Sequence, residues 1–183
     1  MVETVELRQE VKKIRVAALR AFVVCLICFG VSYWWIPSRF ELPGSLMERL
    51  AFTLRLDLFV ILWVIIAVGM VSRGRRRSAA DIGGAAFSPP SRAIAIHVAF
   101  LQNTLEQAFS AVFVHLTLAT LLRGDELSFI PAAVFLFSLG RITFLLGYPK
   151  GAGARAFGMV TTVLPTIFGF LAALVLMLID STR

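Results

Sequence analysis

The sequence predicts an all-α integral membrane protein with five transmembrane helices, and three observations predict it. Of the 183 residues, 58% are hydrophobic and 16% are charged; a soluble domain averages roughly 45–50% apolar and about 25% charged. Such a chain cannot cover its apolar side chains with its own polar ones. Five stretches (16–36, 50–71, 93–122, 128–148 and 157–179) are apolar over the about 20 residues that a bilayer crossing needs. The basic residues, finally, collect in alternate connections. Together these exclude a soluble globule, a disordered chain, a collagenous repeat and, with two cysteines, a disulfide scaffold. The net charge of +7 does not point to nucleic acid, because the Arg run at 73–77 has no interleaved aromatics; the expected partner is the lipid bilayer.

Residues 1–15 carry both signs of charge (Glu3, Glu6, Arg8, Glu10, Lys12, Lys13, Arg15) and read as a helical cytoplasmic stem. The stem runs into a first span at 16–36, interrupted by Arg20. Tyr33-Trp34-Trp35-Ile36-Pro37 ends it, a bulky interfacial ending without the small-residue site of a cleavable signal. The second span, 50–71, holds Arg55 and Asp57 in its first third. Residues 73–91 form the one long connector, closed by Pro89-Pro90. Segment 93–122 would be a helix of roughly 45 Å, so about a third of it is expected in water beside the Arg-rich loop. Spans four and five follow after short connections.

Orientation comes from the basic residues. The stem, the 72–92 loop (Arg73, Arg75, Arg76, Arg77, Arg92) and the 149–156 loop (Lys150, Arg155) are rich in them. The other connections balance Arg39 and Arg49 with Glu41 and Glu48, Arg123 with Asp125 and Glu126, and Arg183 with Asp180. All the rich positions share one side only with five crossings, the N-terminus in the cytoplasm and the C-terminus on the opposite side. Short loops and no cleavable signal suit a bacterial inner membrane.

Charged groups inside a span face other helices or a cavity. On the third helix Arg92, Ala99, Asn103, Glu106, Ser110 and Thr117 fall within about 40° of one line, a polar stripe. Arg141, Phe144 and Tyr148 share a face of the fourth. A buried carboxylate needs a cation, so Glu106 and Arg141 are expected to meet across a helix interface. Arg55 and Asp57, two residues apart, are expected to pair separately with other helices. Cys25-x-x-Cys28 reads as packing. His97 and His115 lie roughly 27 Å apart along one helix and cannot share a metal; no metal site is expected.

Two stretches now carry a resemblance. Gln102-Asn103-Thr104-Leu105-Glu106-Gln107 resembles the N-x-x-E signature of the membrane-associated proteins in eicosanoid and glutathione metabolism (MAPEG). Gly140-Arg141-Ile142-Thr143-Phe144-Leu145-Leu146-Gly147-Tyr148 is similar to that family's R-x-x-Y-x-x-G-Y. Arg155, Leu164-Pro165, Gly69-Met70-Val71-Ser72-Arg73 and Ser88-Pro89-Pro90 extend the likeness over about residues 50–179. The resemblance implies a four-helix bundle, usually trimeric, to which 16–36 adds an N-terminal helix. It implies glutathione as cofactor, bound between subunits by Arg73, Asn103, Glu106, Arg141 and Tyr148, with Arg155 and Tyr148 as the catalytic pair that stabilises the thiolate. The sequence departs from the family at Ala99 and Gln102, where members often carry Arg, and at Phe144, which lacks a hydroxyl or imidazole. Two readings therefore stand. One is a glutathione-dependent transferase or peroxidase acting on a lipophilic electrophile. The other is a non-catalytic accessory or scaffold subunit of a membrane complex.

Overall fold

The computed structural model describes residues 2–180; Arg183 lies outside them. The chain folds into five long helices and no strand among the described residues: α1 (Val2–Trp35), α2 (Leu46–Arg75), α3 (Ala95–Leu121), α4 (Phe129–Gly147) and α5 (Ala152–Asp180). Two 3₁₀ turns, Gly124–Ser128 and Tyr148–Lys150, lead into α4 and out of it. The stem and first span are thus one continuous helix of 34 residues. Four helical segments are long and apolar enough to cross a membrane: Glu6–Trp35, Leu46–Arg75, Gly124–Lys150 and Ala152–Ile179. The expectation of five is met only in part, because the Gln, Asn, Glu and His side chains of α3 dilute its apolarity.

Local chemistry sets the helix ends. Ser45 caps α2: its hydroxyl accepts from the Glu48 amide at 3.3 Å, and the Glu48 carboxylate accepts from the Ser45 amide at 3.1 Å, satisfying donors the first turn leaves free. The helix runs on to Arg75, one turn past the expected end. Arg73 and Arg75 stand in its last turn, where cations suit the helix dipole. α3 begins at Ala95, so Arg92 precedes the helix and does not join its stripe. Gly151, at φ 101°, turns the chain between α4 and α5.

Successive helices alternate in direction. α2 lies on α3 and α4, α3 on α5, and α4 on α5. Arg49 ties the start of α2 to the end of α3, donating to the Ala119 carbonyl at 3.0 Å and the Gly44 carbonyl at 2.6 Å. Lipid tails are as apolar as leucine, so close packing holds such helices together. The α4–α5 contact shows how. A Cβ on Gly140 would strike Thr162 Oγ1, one on Gly158 would strike the Phe144 amide, and one on Gly147 would lie 2.5 Å from the Ala154 carbonyl oxygen. Glycines therefore let these two backbones approach.

Half of the most apolar window of α4 is buried inside the chain, against 11% for α1. α4 is accordingly central and α1 peripheral. α1 leans on α5 and α4, with Phe29 stacked on Phe129 at 4.7 Å, the Ser32 hydroxyl donating to the Ser128 carbonyl at 2.9 Å, and Glu10 accepting from the Gly153 amide at 3.0 Å. These contacts place the stem beside the α4–α5 turn.

Candidate functional site

Among the described residues, the largest fully buried side chain is a cation. Arg141 has no exposed surface. The Gly140–Gly158 crossing brings Thr162 against it. Arg141 donates from Nε at 3.2 Å and Nη2 at 2.8 Å to Thr162 Oγ1, and from Nη1 at 2.8 Å to Asn103 Oδ1. The Thr162 hydroxyl in turn donates to the Gly158 carbonyl at 2.9 Å. Phe137 and Phe144 present ring faces to the guanidinium, 5.6 and 4.8 Å from their centroids, an arrangement that favours a desolvated cation. One side chain thus joins α3, α4 and α5.

From this centre an aromatic line runs to the end of the bundle. Phe144 meets Tyr148 edge-on at 5.3 Å, and the Arg155 guanidinium sits 4.4 Å over the Tyr148 ring. Phe100 packs against Phe144 from α3, and Met70 of α2 borders the same cluster. Tyr148 and Arg155 are half-buried. They can meet an anionic group arriving at this end, whereas Arg141 is already engaged.

The expected Glu106–Arg141 pair does not form. Glu106 is exposed, its carboxylate accepting from Gln102 Nε2 at 2.7 Å. Asn103 takes the place expected of Glu106. The reason is angular: the buried face of α3 is centred on Phe100, Thr104, Ala108 and Ala111. Asn103 lies roughly 95° from that centre and Glu106 roughly 155°. Arg73 is exposed at the end of α2 and has no ion-pair partner among the described residues. Of the six sequence candidates, Asn103, Arg141, Tyr148 and Arg155 come together; Glu106 and Arg73 do not join them.

Sequence reasoning missed Thr162. The signal was present, since Thr161-Thr162 is a polar step in an otherwise apolar helix. It half-solved a second buried pair. Asp57 does reach another helix: its Oδ1 lies 2.7 Å from His115 Nδ1 on α3, both side chains at most 3% exposed. Arg55, expected to pair likewise, is exposed and forms no ion pair among the described residues. No group of three His, Cys, Asp or Glu side chains able to hold a metal occurs among the described residues. Cys25 and Cys28 are both free thiols.

The family model described as the MAPEG family matches residues 50–175, the span of α2 to α5. The chain is 27% identical over 153 residues to Transmembrane protein 79 of Mus musculus, and 27% identical over 155 residues to Transmembrane protein 79 of Bos taurus. Each match covers 83% of this chain but 38% of the relative, so the chain spans under half the length of these curated relatives. No solved structure matches it at a significant level.

Proposed function

The chain belongs to the MAPEG family, and from that premise we propose that it is a five-span, non-catalytic member, working as an accessory or scaffold subunit of a membrane assembly. The observation that carries this reading is the closed circuit around Arg141. Glutathione binding would need the Arg141 fork and the Asn103 amide free for its carboxylates and peptide. Here each is the other's partner at 2.8 Å, and Thr162 takes two more of the guanidinium's bonds. Ala99 and Gln102 offer no replacement cation, and Phe144 turns its ring onto Arg141 where active relatives place a polar group.

The outer face of α3 supports an assembly. Gln102, Glu106 and Ser110 are exposed along one side of the helix. A carboxylate facing lipid is costly, and a second protein surface relieves that cost. We assign this face to a homo-oligomer or a larger complex, with the stem and the Arg-rich loop on the cytoplasmic side.

One observation favours the enzyme reading. Arg155 over Tyr148, half-exposed at the end of the bundle, is the geometry in which a cation and a phenol could lower a thiol pKa. Thermal unfolding of the detergent-purified protein with glutathione separates the two. The scaffold reading expects no shift up to tens of millimolar. A site filled at 100 times its dissociation constant would add about 2.7 kcal/mol, and such a stabilisation, lost in Arg155→Ala, would establish the enzyme reading instead.

A further inference from the structure

We propose that α1 builds, with the start of α5, a binding site for the headgroup of an anionic phospholipid. A groove of about 530 Å³ runs between the stem and the α4–α5 turn, lined by Lys12, Lys13, Arg20 and Lys150 together with Val16, Ala17 and Ala154. Lys13, Ala17 and Arg20 recur on one helical face at i, i+4 and i+7.

Its charge is one-sided. The single carboxylate in the lining, Glu10, is occupied: it accepts from Lys13 Nζ at 2.7 Å and from the Gly153 amide at 3.0 Å. Lys12, Arg20 and Lys150 form no ion pair among the described residues. Three uncompensated cations thus face one cleft, and the positive end of the α5 dipole adds to them.

The layout fits a lipid better than a soluble anion. Lys12 and Arg20 are about 12 Å apart along the helix axis, enough to reach from the aqueous edge of a leaflet through its headgroup layer. Val16, Ala17 and Ala154 supply apolar wall between these heights. Past Arg20, the exposed Val23 and Ile27 continue the apolar track on this side of α1, where acyl chains would lie. Phosphate at the cations and hydrocarbon along the wall is the chemistry of a phosphatidylglycerol-type lipid.

Native mass spectrometry of the full chain in detergent tests this, titrating phosphatidylglycerol against phosphatidylcholine of identical acyl chains. A juxtamembrane cation contributes about fivefold in affinity, so the Lys12→Gln/Arg20→Gln/Lys150→Gln variant should lose on the order of a hundredfold in phosphatidylglycerol binding. Arg39→Gln/Arg123→Gln, at the other end of the bundle, should lose none. Equal binding of the two lipids by the unmodified chain would overturn the proposal, a result independent of whether the triple variant folds. So would undiminished binding by a folded triple variant. Displacement of the lipid by an equal concentration of inorganic phosphate would also overturn it, by making the groove a site for free anions.

Discussion

Thr162→Val is the most informative single change in the bundle. It keeps the side-chain volume but removes the oxygen that accepts two N–H bonds from Arg141, at 3.2 and 2.8 Å. The guanidinium would keep Asn103 and two aromatic faces, yet remain fully enclosed. Charged hydrogen bonds contribute about 1.5–3 kcal/mol each, and stranding a buried charge costs about 3–5 kcal/mol. We therefore expect a loss of about 3–5 kcal/mol. Arg141→Met removes the cation together with its demand for partners. Thr162 keeps its bond to the Gly158 carbonyl, and Asn103 is only half-buried. That variant should lose less, about 1–2 kcal/mol for one unmade bond. Thermal unfolding followed by circular dichroism in mild detergent reads both. At about 2–4 °C per kcal/mol for a chain of this size, the two melting temperatures should differ by several degrees, with Thr162→Val the lower. Equal values, or Arg141→Met the lower, would refute the view that the buried charge needs Thr162 as its principal partner.

Gly158→Ala should destabilise by about 1–3 kcal/mol through overpacking, reversing the gain of up to about 1 kcal/mol that alanine usually brings to a helix interior; the same melting assay reads the sign. A double-mutant cycle on Asp57→Ala and His115→Ala should give a coupling of about 0.5–3 kcal/mol, and additive losses would separate the two groups. The loop at 78–91 should depend on pH through Asp81. Its carboxylate accepts from the Ser78 hydroxyl and from the Ser91 amide and hydroxyl, with Arg75 nearby, and these hold its pKa below the ordinary value. A pKa lower in the folded state means that the ionised form stabilises the loop above the unfolded value of about 3.9, and that this contribution disappears as pH falls through the folded value. Protection of the 78–91 amides, measured as exchange relative to its intrinsic rate at each pH, should therefore be steady between about pH 5 and 8 and fall below about pH 4; Asp81→Asn should abolish that acid step. Glu10→Gln should loosen α1 from α5 by weakening the Gly153 contact, raising protease susceptibility in the stem.

The helices were legible because hydropathy and length are one-dimensional properties. Each predicted stretch lies largely within an observed helix, and the polar dilution of α3 was visible in the same residues that made it informative. The wiring between helices was harder to read. Periodicity places Asn103 and Glu106 within about 60° of each other, so either could have met Arg141. Choosing needs the direction of the buried face of α3, and the packing of the α2 and α5 backbones sets that. Thr162 escaped because a threonine in a span most often bonds its own helix, as Thr161 does to the Phe157 carbonyl at 2.8 Å. The close approach that turns Thr162 toward Arg141 depends on Gly140 and Gly158 facing each other, and two glycines 18 residues apart do not announce that. The Asp57–His115 pair was half-legible: a carboxylate in a span called for a partner, and the choice of His115 awaited the register of α2 on α3.

An experimental map of the full chain in a lipid nanodisc, recorded with tens of millimolar glutathione present, bears most directly on the closed circuit at the centre of the bundle. Our account predicts the Arg141 guanidinium still held between Asn103 and Thr162, with no glutathione density beside it. Density for a glutathione carboxylate on Arg141, or Arg141 swung onto Glu106 of the same or a neighbouring subunit, would contradict it.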